Sequence, residues 1–441
     1  MPAAPADSQI YARLFGDDDA ARLFTDSAEV RAMLLVEGAL AKVQGTLGVI
    51  PAESAAFLHR ASFEVQIDPS ALAAETATNG VPVPALVAAF RTACNAPEHA
   101  AFAHWGATSQ DIIDTALALR LKRLLEMWET RLDTALTGLA TLAALHADLP
   151  MTARTYGQAA TPTSFGAVVA GWGWPLLTQK QALTGLKPLL LRVSLSGAAG
   201  TLSAMGDAGP QVRAGLAAAL GLADPGHSWH TDRSGIGALA GWMASTSGAM
   251  GKLGEDLILM TQSGLAEVKL TGGGASSTMP QKQNPVAPSA LVALSRQVIG
   301  LSSILQGAGL HRQQRDGAAW FTEWLTLPQM CISTSRALAL TADLTARMAP
   351  DQNEMCRNLN ADGGLIYAEA LTFILAQQMS RVEAQEAVKS LCAEARHRGA
   401  HLSELALEKC PGINWAALVS ATGFGQAVSE AKLFAMQVRG T

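Results

Sequence analysis

Charged side chains are scarce in this sequence. Only 16% of its 441 residues are Asp, Glu, Lys or Arg, and the mean hydropathy is +0.19. A large monomer needs more polar surface than this, so the shortage predicts that a substantial area is covered between subunits. The chain also exceeds the length that one hydrophobic core usually serves, which indicates two or three subdomains. We therefore expect an oligomer.

Features typical of several other protein classes are also missing. The formal charge is −5 and no run of Lys or Arg occurs, which argues against a nucleic-acid or anionic-membrane surface. The N-terminus has no basic start followed by an apolar core, so we expect no secretion signal. The five cysteines are scattered and form no CxxC pair. This usage is typical of reduced thiols, and we predict a cytoplasmic protein.

Two stretches without charge are long enough to require a membrane test. They cover 25 residues at 155–179 and 18 residues at 234–251. The first contains a Gln, two prolines and several hydroxyls, and the second is diluted by Ser, Thr and Gly. We therefore expect buried helices of a large soluble bundle rather than membrane spans.

The rest of the sequence favours helices almost throughout. Residues 115–149 contain one Gly and no Pro, and their apolar residues repeat at spacings of three and four. This pattern predicts a helix of roughly 50 Å. Alternating runs typical of strands are nearly absent. Further long helices are predicted at 235–270, 288–311 and 327–348.

These patterns predict an all-α fold. We expect a long central helix bundle with smaller N-terminal and C-terminal helical domains. Breaks in the pattern near Gly106 and at 351–362 give the boundaries. The predicted domains are residues 1–110, 111–355 and 356–441.

The polar segment HWGATSQD, residues 104–111, precedes the longest predicted helix. Thr108 and Asp111 have the spacing of a capping box, in which each side chain binds the other residue's backbone N–H. The same helix end offers free N–H groups and the positive end of the helix dipole, which suit a carboxylate. Thr108 and Asp111 therefore fit a role in capping the helix and a role in binding a carboxylate equally well. Three further polar side chains stand at this helix end: His104, Ser109 and Gln110.

Two other polar segments also allow two interpretations. ARTYGQ places Arg154, Tyr156 and Gln158 at alternate positions before an uncharged stretch. A buried Tyr needs only one hydrogen-bond partner, so Tyr156 fits either a packed core residue or an acid. The small residues of SGAAGTLSAMG, 196–206, fit either close helix packing or the lining of a site.

The most unusual segment is GGGASSTMPQKQNP, residues 272–285. Asn284 before Pro285 predicts the start of a helix. The glycines allow the preceding part to move over a pocket. A lysine and a helix start converging on a serine hydroxyl would stabilise its oxyanion and make it a usable base. The segment therefore predicts a catalytic loop that contains Ser276 and Lys282.

Together these segments resemble the fumarase/aspartase superfamily. SSTMPQKQNP resembles its signature loop, HWGATSQD resembles its first motif, and ARTYGQ stands where its second motif lies. The resemblance spans about residues 75–324. It implies a homotetramer built on a shared helix bundle, with each site assembled from three chains. It also implies that Ser276 is the catalytic acid or base, and it gives these substrate-binding residues: His104, Thr108, Ser109, Gln158, Lys282, Asn284 and Arg315.

Within the superfamily, the sequence is most similar to the 3-carboxy-cis,cis-muconate cycloisomerase branch. Adenylosuccinate and argininosuccinate lyases have a second-motif histidine where this chain has Tyr156, and adenylosuccinate lyases have a His-Asp pair near Asn79 and Gly80. An amine must be protonated as it leaves, which suits a histidine better than a tyrosine with a pKa of about 10. A carboxylate leaving group needs no such acid. WHTDR from Trp229 and AAWFTEWLTLP from Ala318 are also similar to segments of that branch.

The resemblance therefore implies an enzyme that closes a carboxymuconate to a carboxymuconolactone during the breakdown of aromatic compounds. Cations and N–H groups are expected to hold the small di- or tricarboxylate while its own carboxylate forms the lactone. Ser276 supplies a proton to carbon, and Tyr156 is the second catalytic candidate. No metal, organic cofactor or nucleic acid is expected. The alternative is a lyase of the same superfamily that acts on a substituted succinate.

Overall fold

A computed structural model describes residues 4–272, 274–275, 279, 282–412, 414–415 and 424–440. Most of these residues lie in helices, which confirms the predicted all-α fold. The α-helices are α1 Ala12–Phe15, α2 Asp18–Ala21, α3 Asp26–Thr46, α4 Ala52–Glu64, α5 Ala73–Asn79, α6 Val83–Cys94, α7 Pro97–Ala100, α8 Ser109–Leu145, α9 Phe165–Leu190, α10 Gly209–Leu220, α11 Ser234–Met260, α12 Val286–Gly307, α13 Gly317–Arg347, α14 Gln352–Leu359, α15 Ala368–Leu375, α16 Arg381–Arg398, α17 Leu402–Lys409 and α18 Ala427–Gly440.

Short strands connect some of the helices. Within the described residues they form three two-stranded antiparallel ladders, in which β1 pairs with β2, β3 with β6, and β4 with β5. The strands are β1 Pro150–Thr155, β2 Gln158–Ser164, β3 Val268–Leu270, β4 Gly274–Ala275, β5 Gln283–Asn284 and β6 Met348–Pro350. Short 3-10 helices occur at Pro5–Asp7, Arg22–Phe24, Pro69–Leu72, Ser203–Ala208 and Leu365–Tyr367.

The chain forms two compact units. Unit 1 contains residues 1–130, 179–248 and 294–337, and unit 2 contains 131–178, 249–293 and 338–441. These units consist of interleaved segments, so they do not test the predicted division into three consecutive domains. Unit 1 has a core in which α3 packs against α4 and α10. Unit 2 has a separate cluster of buried side chains that includes α15, α16 and α17.

The first half of α8 illustrates why the sequence forms long helices. Leu121, Leu124, Leu125 and Trp128 lie on one face at spacings of three and four residues, and each is at most 2% exposed. The Trp128 ring stacks on the ring of Trp242 with 5.1 Å between centroids. Its indole N–H donates to a serine hydroxyl on α13 at 2.7 Å, so burial leaves no polar atom of this ring unsatisfied.

The four long helices begin and end close to their predicted positions. Helix α8 starts six residues before the predicted residue 115, directly after Thr108, and α13 starts ten residues before the predicted residue 327. A difference of the same size lies after α11, which ends at Met260. The predicted helix continued to residue 270, but 268–270 form strand β3 because their backbone groups pair with β6.

One helix within the described residues has the length and composition of a membrane span. It is α12, whose apolar window is 44% buried. Core helices of soluble proteins satisfy the same test. The two stretches tested in the sequence, 155–179 and 234–251, do not satisfy it over the described residues.

Candidate active site

The start of α8 holds the first group of predicted site residues, in unit 1. The Asp111 carboxylate accepts a hydrogen bond from the backbone N–H of Thr108 at 3.1 Å. This contact is one half of the predicted capping box. Thr108 and Ser109 are half-buried, whereas Asp111 is fully buried. The structural interpretation of Asp111 is therefore correct, and the side chains of Thr108 and Ser109 remain accessible.

Asp111 has a second role that its sequence position did not indicate. Its carboxylate also accepts hydrogen bonds from the backbone N–H groups of Ser196 and Gly197, both at 2.9 Å. His230 Nε2 lies 2.7 Å from the same carboxylate. One buried acid thus holds the segment 196–206 and the WHTDR segment at the start of α8. Ser196 and Gly197 therefore belong to this polar end of unit 1, whereas Leu202 and Met205 of the same segment lie in its hydrophobic core.

His104 stands beside the same helix end and is paired with a buried acid. Its Nδ1 lies 2.7 Å from Glu37 Oε1, and the Glu37 side chain is 2% exposed. Burial lowers the pKa of His104, but the charge of Glu37, its hydrogen bond and a contribution from Asp111 outweigh burial and the opposing charge of Arg91. The pKa of His104 therefore lies above its usual value, and the imidazole stays cationic to higher pH than an ordinary histidine.

Replacing Glu37 with glutamine should lower the pKa of His104. The substitution removes the charge that favours imidazolium and leaves the burial that disfavours it. In the wild type, the raised pKa adds stability that is complete below the unfolded value of about 6.5 and is lost as pH rises through the folded pKa. In the variant, this loss should occur at lower pH. An NMR titration of the His104 ring measures the shift. The exposed Glu53→Gln change is the control, and an unchanged His104 titration in Glu37→Gln would contradict the assignment.

Arg315 lies close to the start of α8 in the same unit. Its Nε donates to the side-chain oxygen of Gln110 at 2.8 Å, and its terminal nitrogen lies 3.4 Å from the carbonyl oxygen of Ala198. No carboxylate pairs with Arg315 among the residues that the structure describes. Unit 1 therefore brings four predicted site residues to one polar region: His104, Thr108, Ser109 and Arg315.

A buried ion cluster lies behind this region. Arg233 donates to both carboxylate oxygens of Asp114 at 2.7 and 3.1 Å, and to both oxygens of Glu323 at 2.9 and 2.5 Å. All three side chains are at most 2% exposed. Burial lowers the pKa of Arg233, but its two acidic partners outweigh burial and raise it. Burial, together with the charge of Asp114, raises the pKa of Glu323 despite the opposing charge and hydrogen bond of Arg233.

The second predicted motif forms a hairpin in unit 2. Thr155 pairs with Gln158, and the two residues between them, Tyr156 and Gly157, have φ values of +51° and +73°. Positive φ at both central positions is typical of a type I′ turn, which matches the twist of the strands. Tyr156 is fully exposed and Gln158 is exposed. The interpretation of Tyr156 as a buried core residue is therefore wrong for the single chain.

Arg154 in the same motif has a structural partner. Its guanidinium donates to both oxygens of Glu267, at 2.9 and 2.8 Å, and the Glu267 side chain is fully buried. The side-chain amide of Asn358 donates to the same carboxylate at 3.1 Å. This bidentate pair fixes strand β1 next to the turn, whereas the turn residues Tyr156 and Gly157 stay exposed.

The third predicted group belongs to the loop at 272–285, also in unit 2. Strands β4 and β5 close the loop, with Gly274 opposite Asn284. Asn284 is half-buried, and the exposed Lys282 donates its backbone N–H to the Met279 carbonyl at 3.0 Å. Helix α12 begins at Val286, two residues after Asn284. Ser276 lies outside the described residues.

Within the part of the chain that the structure describes, no group of three His, Cys, Asp or Glu side chains has the arrangement of a metal site. The sequence did not single out Glu37, His230 or the cluster around Arg233 as parts of the polar region. One local signal was available for Glu37, which is a lone acid in the apolar run MLLVEGALA of α3. A buried acid in such a run needs a partner elsewhere in the chain.

The chain is similar to known proteins along most of its length. The profile of a family described as Lyase matches residues 16–300. A 3-carboxy-cis,cis-muconate cycloisomerase of Pseudomonas aeruginosa is 36% identical over 90% of this chain and 87% of its own. A nitrosuccinate lyase of Streptomyces davaonensis is 32% identical over 91% of this chain and 88% of its own. The crystal structure of 3-carboxy-cis,cis-muconate lactonizing enzyme from Pseudomonas putida has a TM-score of 0.92 at 32% identity, and the match covers 98% of this chain and 99% of that chain.

Proposed function

This chain belongs to the lyase family of the fumarase/aspartase superfamily, and we propose that it converts 3-carboxy-cis,cis-muconate to a carboxymuconolactone. The observation that carries this proposal is the 36% identity to a cycloisomerase along nearly the whole chain. The polar region of unit 1 supports it, because His104 and Arg315 there are suited to bind carboxylates. The expected role in the breakdown of aromatic compounds and the cytoplasmic location stay predictions.

In the proposed reaction, the substrate carboxylates are bound by the cations and by the free N–H groups at the start of α8. One carboxylate of the substrate attacks C4 and forms the lactone C–O bond, while the electrons of the double bond move toward a distant carboxylate as an enolate. His104, Arg315 and Lys282 stabilise that charge, because it develops where the cations already stand. Ser276 then donates a proton to carbon and recovers it from solvent, so atoms and charge balance.

The leaving-group argument favours this reaction over expulsion of an amine. In reverse, the proposed reaction is a β-elimination in which a carboxylate leaves, and a carboxylate needs no proton to depart. Tyr156 occupies the second motif in place of the histidine that an amine leaving group would need. Nitrite is likewise a weak base, so loss of nitrite from a nitrosuccinate is an outcome that the assay must test.

An ultraviolet assay tests the proposal. Purified protein is mixed separately with 3-carboxy-cis,cis-muconate, nitrosuccinate, adenylosuccinate, argininosuccinate and fumarate. We expect the absorbance of the conjugated diene to fall for carboxymuconate, with a lactone identified by NMR. Turnover of a substituted succinate without lactone formation would overturn the proposal and favour the lyase alternative.

Replacing Tyr156 with phenylalanine should lower kcat/KM by less than about tenfold, or about 1.4 kcal/mol. The variant loses only a hydroxyl, and Phe and Tyr have the same strain at the positive φ of this turn. If Tyr156 instead protonates an amine leaving group, the loss should be on the order of 10² to 10⁴. Tyr156→Ala also removes the ring. Comparing it with Tyr156→Phe distinguishes a residue that only lines the pocket from one that acts as an acid.

We also propose that the active protein is a homotetramer whose sites are shared between subunits. The low content of charge supports this proposal, as do apolar side chains on α12 that the single chain leaves exposed: Val286 at 43%, Ile299 at 46% and Ile304 at 49%. The fully exposed tip of the β1–β2 hairpin is suited to reach another chain. Light scattering should give four times the 45.9 kDa mass of one chain, and an active monomer would exclude shared sites.

A further inference from the structure

Gln110 is a fully buried amide within the polar region of unit 1. Its side-chain nitrogen donates to the carbonyl oxygen of His230 at 2.8 Å and to Asp114 Oδ2 at 3.1 Å. Its side-chain oxygen accepts from Nε of Arg315 at 2.8 Å. Every polar atom of the amide therefore has a partner, although the three partners come from three different segments of the chain.

The chemistry of these partners fixes which way the amide points. A carbonyl and a carboxylate can only accept, so the group facing His230 and Asp114 must be the NH₂. An arginine can only donate, so the group facing Arg315 must be the oxygen. A flipped amide would set donor against donor at Arg315 and acceptor against acceptor at Asp114. Gln110 thus has one orientation, in which its oxygen is held toward Arg315.

The buried ion cluster makes this orientation rigid. Asp114 is held by two hydrogen bonds from Arg233, which is held in turn by two bonds to Glu323. Bidentate pairs fix both the position and the plane of a carboxylate. The Gln110 amide therefore rests on a side chain that cannot rotate without breaking the buried cluster.

Arg315 differs from a typical surface arginine in what holds it. A neutral amide holds its Nε, and no acid neutralises its charge within the described chain. Arg312, three residues earlier, instead pairs with Asp316 and is 82% exposed on its side chain. The edge of the Arg315 guanidinium opposite Nε keeps N–H donors for a carboxylate, which such an edge binds with two parallel hydrogen bonds.

We propose that Gln110 is a positioning residue that aims the guanidinium of Arg315 at a carboxylate of the substrate. It does so without neutralising the arginine, because an amide oxygen accepts the Nε–H but adds no charge. The role rests on the proposed function, in which Arg315 binds substrate. The proposal also explains why a glutamine, rather than an acid, lies between the cation and the buried Asp114.

A double-mutant cycle tests the role. We expect Gln110→Leu to lower kcat/KM by about tenfold to a hundredfold, because an unheld arginine spends less time in the binding geometry. In an Arg315→Met background, the same change should cost less than about threefold. The ratio of the two losses is a coupling of at least about threefold to thirtyfold, within the range typical for contacting residues. Equal losses in the two backgrounds would overturn the proposal, since Gln110 would then act independently of Arg315.

Two controls separate positioning from a general loss of stability. Gln44 is another buried glutamine of unit 1, and its side-chain nitrogen donates to the carbonyl of Trp105. Unlike Gln110, its side-chain oxygen accepts no hydrogen bond from an arginine among the described residues. The loss of kcat/KM caused by Gln44→Leu should be the same in the wild type and in the Arg315→Met background. Gln110→Asn keeps a polar group. It replaces Gln110→Leu in the cycle if circular dichroism shows that Gln110→Leu does not fold. It should show a coupling of the same sign.

The same cycle is repeated on binding, so that the outcome does not depend on the proposed reaction. Calorimetry measures the affinity of each variant for propane-1,2,3-tricarboxylate. If the wild type binds this compound but does not turn over carboxymuconate, the proposed function fails and the binding cycle still decides the role of Gln110. Additive losses of affinity, or a wild-type protein that does not bind the tricarboxylate, would overturn the positioning role.

Discussion

We expect Ser276→Ala to lower kcat by about 10² or more, a loss typical of a missing general acid or base. The reason lies in the segment itself, which places this serine between a run of glycines and Lys282. In the proposed reaction, no other group is assigned to give a proton to carbon. A kcat within a few-fold of the wild type would remove Ser276 from the mechanism.

The neighbouring serine provides a matched control for this variant. Ser277→Ala removes the same hydroxyl one residue further along the loop and should have a milder effect.

Mixing inactive Ser276→Ala with inactive Gln158→Ala should restore part of the activity. If each site draws on several chains, some sites of a mixed tetramer contain neither substitution. Absence of any recovery in tetramers that exchange subunits would argue against shared sites.

Arg233→Met should destabilise the protein by about 3 to 5 kcal/mol, the range for breaking a buried ion pair. The substitution keeps much of the side-chain volume but leaves Asp114 and Glu323 buried together without a cation. Either acid must then remain charged at a large cost or take up a proton. Urea unfolding monitored by circular dichroism measures the loss. The exposed pair of Arg22 and Asp19, at 3.7 Å, provides a control, and Arg22→Met should change the unfolding midpoint little.

The loss of folding stability in the Arg233→Met variant should depend on pH. Burial already raises the pKa of Glu323, and without the opposing charge of the arginine this pKa should rise further. A group whose folded pKa is raised contributes stability below the unfolded value and loses it as pH rises through the folded value. The variant should therefore be closest to the wild type at acidic pH and fall further behind as pH rises. A deficit that is constant from pH 5 to pH 8 would show that lost packing, not charge, dominates.

Much of the fold was predictable because helices depend on short-range patterns. The spacing of Leu121, Leu124, Leu125 and Trp128 by three and four residues indicates one buried face of α8, and the observed helix covers most of the predicted range. The hairpin at 150–164 was not predicted. Strands depend on a partner strand, and neither β1 nor β2 alternates strongly enough to indicate one. The turn residues Tyr156 and Gly157 adopt positive φ within that pairing.

The candidate site was predictable only as a set of residue types. The motifs indicated His104, Thr108, Ser109, Lys282 and Asn284 because their composition is unusual and resembles that of a known superfamily. In this way, the sequence determined the helical class, the family and the polar segments that the function requires. These properties are encoded by neighbours that are close along the chain, so spacing and composition are enough to reveal them.

Only the tertiary structure decided which of these side chains have a partner and which residue that partner is. Glu37 meets His104 across 67 residues, His230 meets Asp111 across 119, and Gln110 meets Arg315 across 205. No local pattern records such pairs, because an isolated buried acid or amide states that a partner is needed but not which one. The identity of the partner follows from which helices pack together. The charge of His104 and the orientation of Arg315 depend on those partners, because the strength of an electrostatic contact is set by distance and burial rather than by sequence.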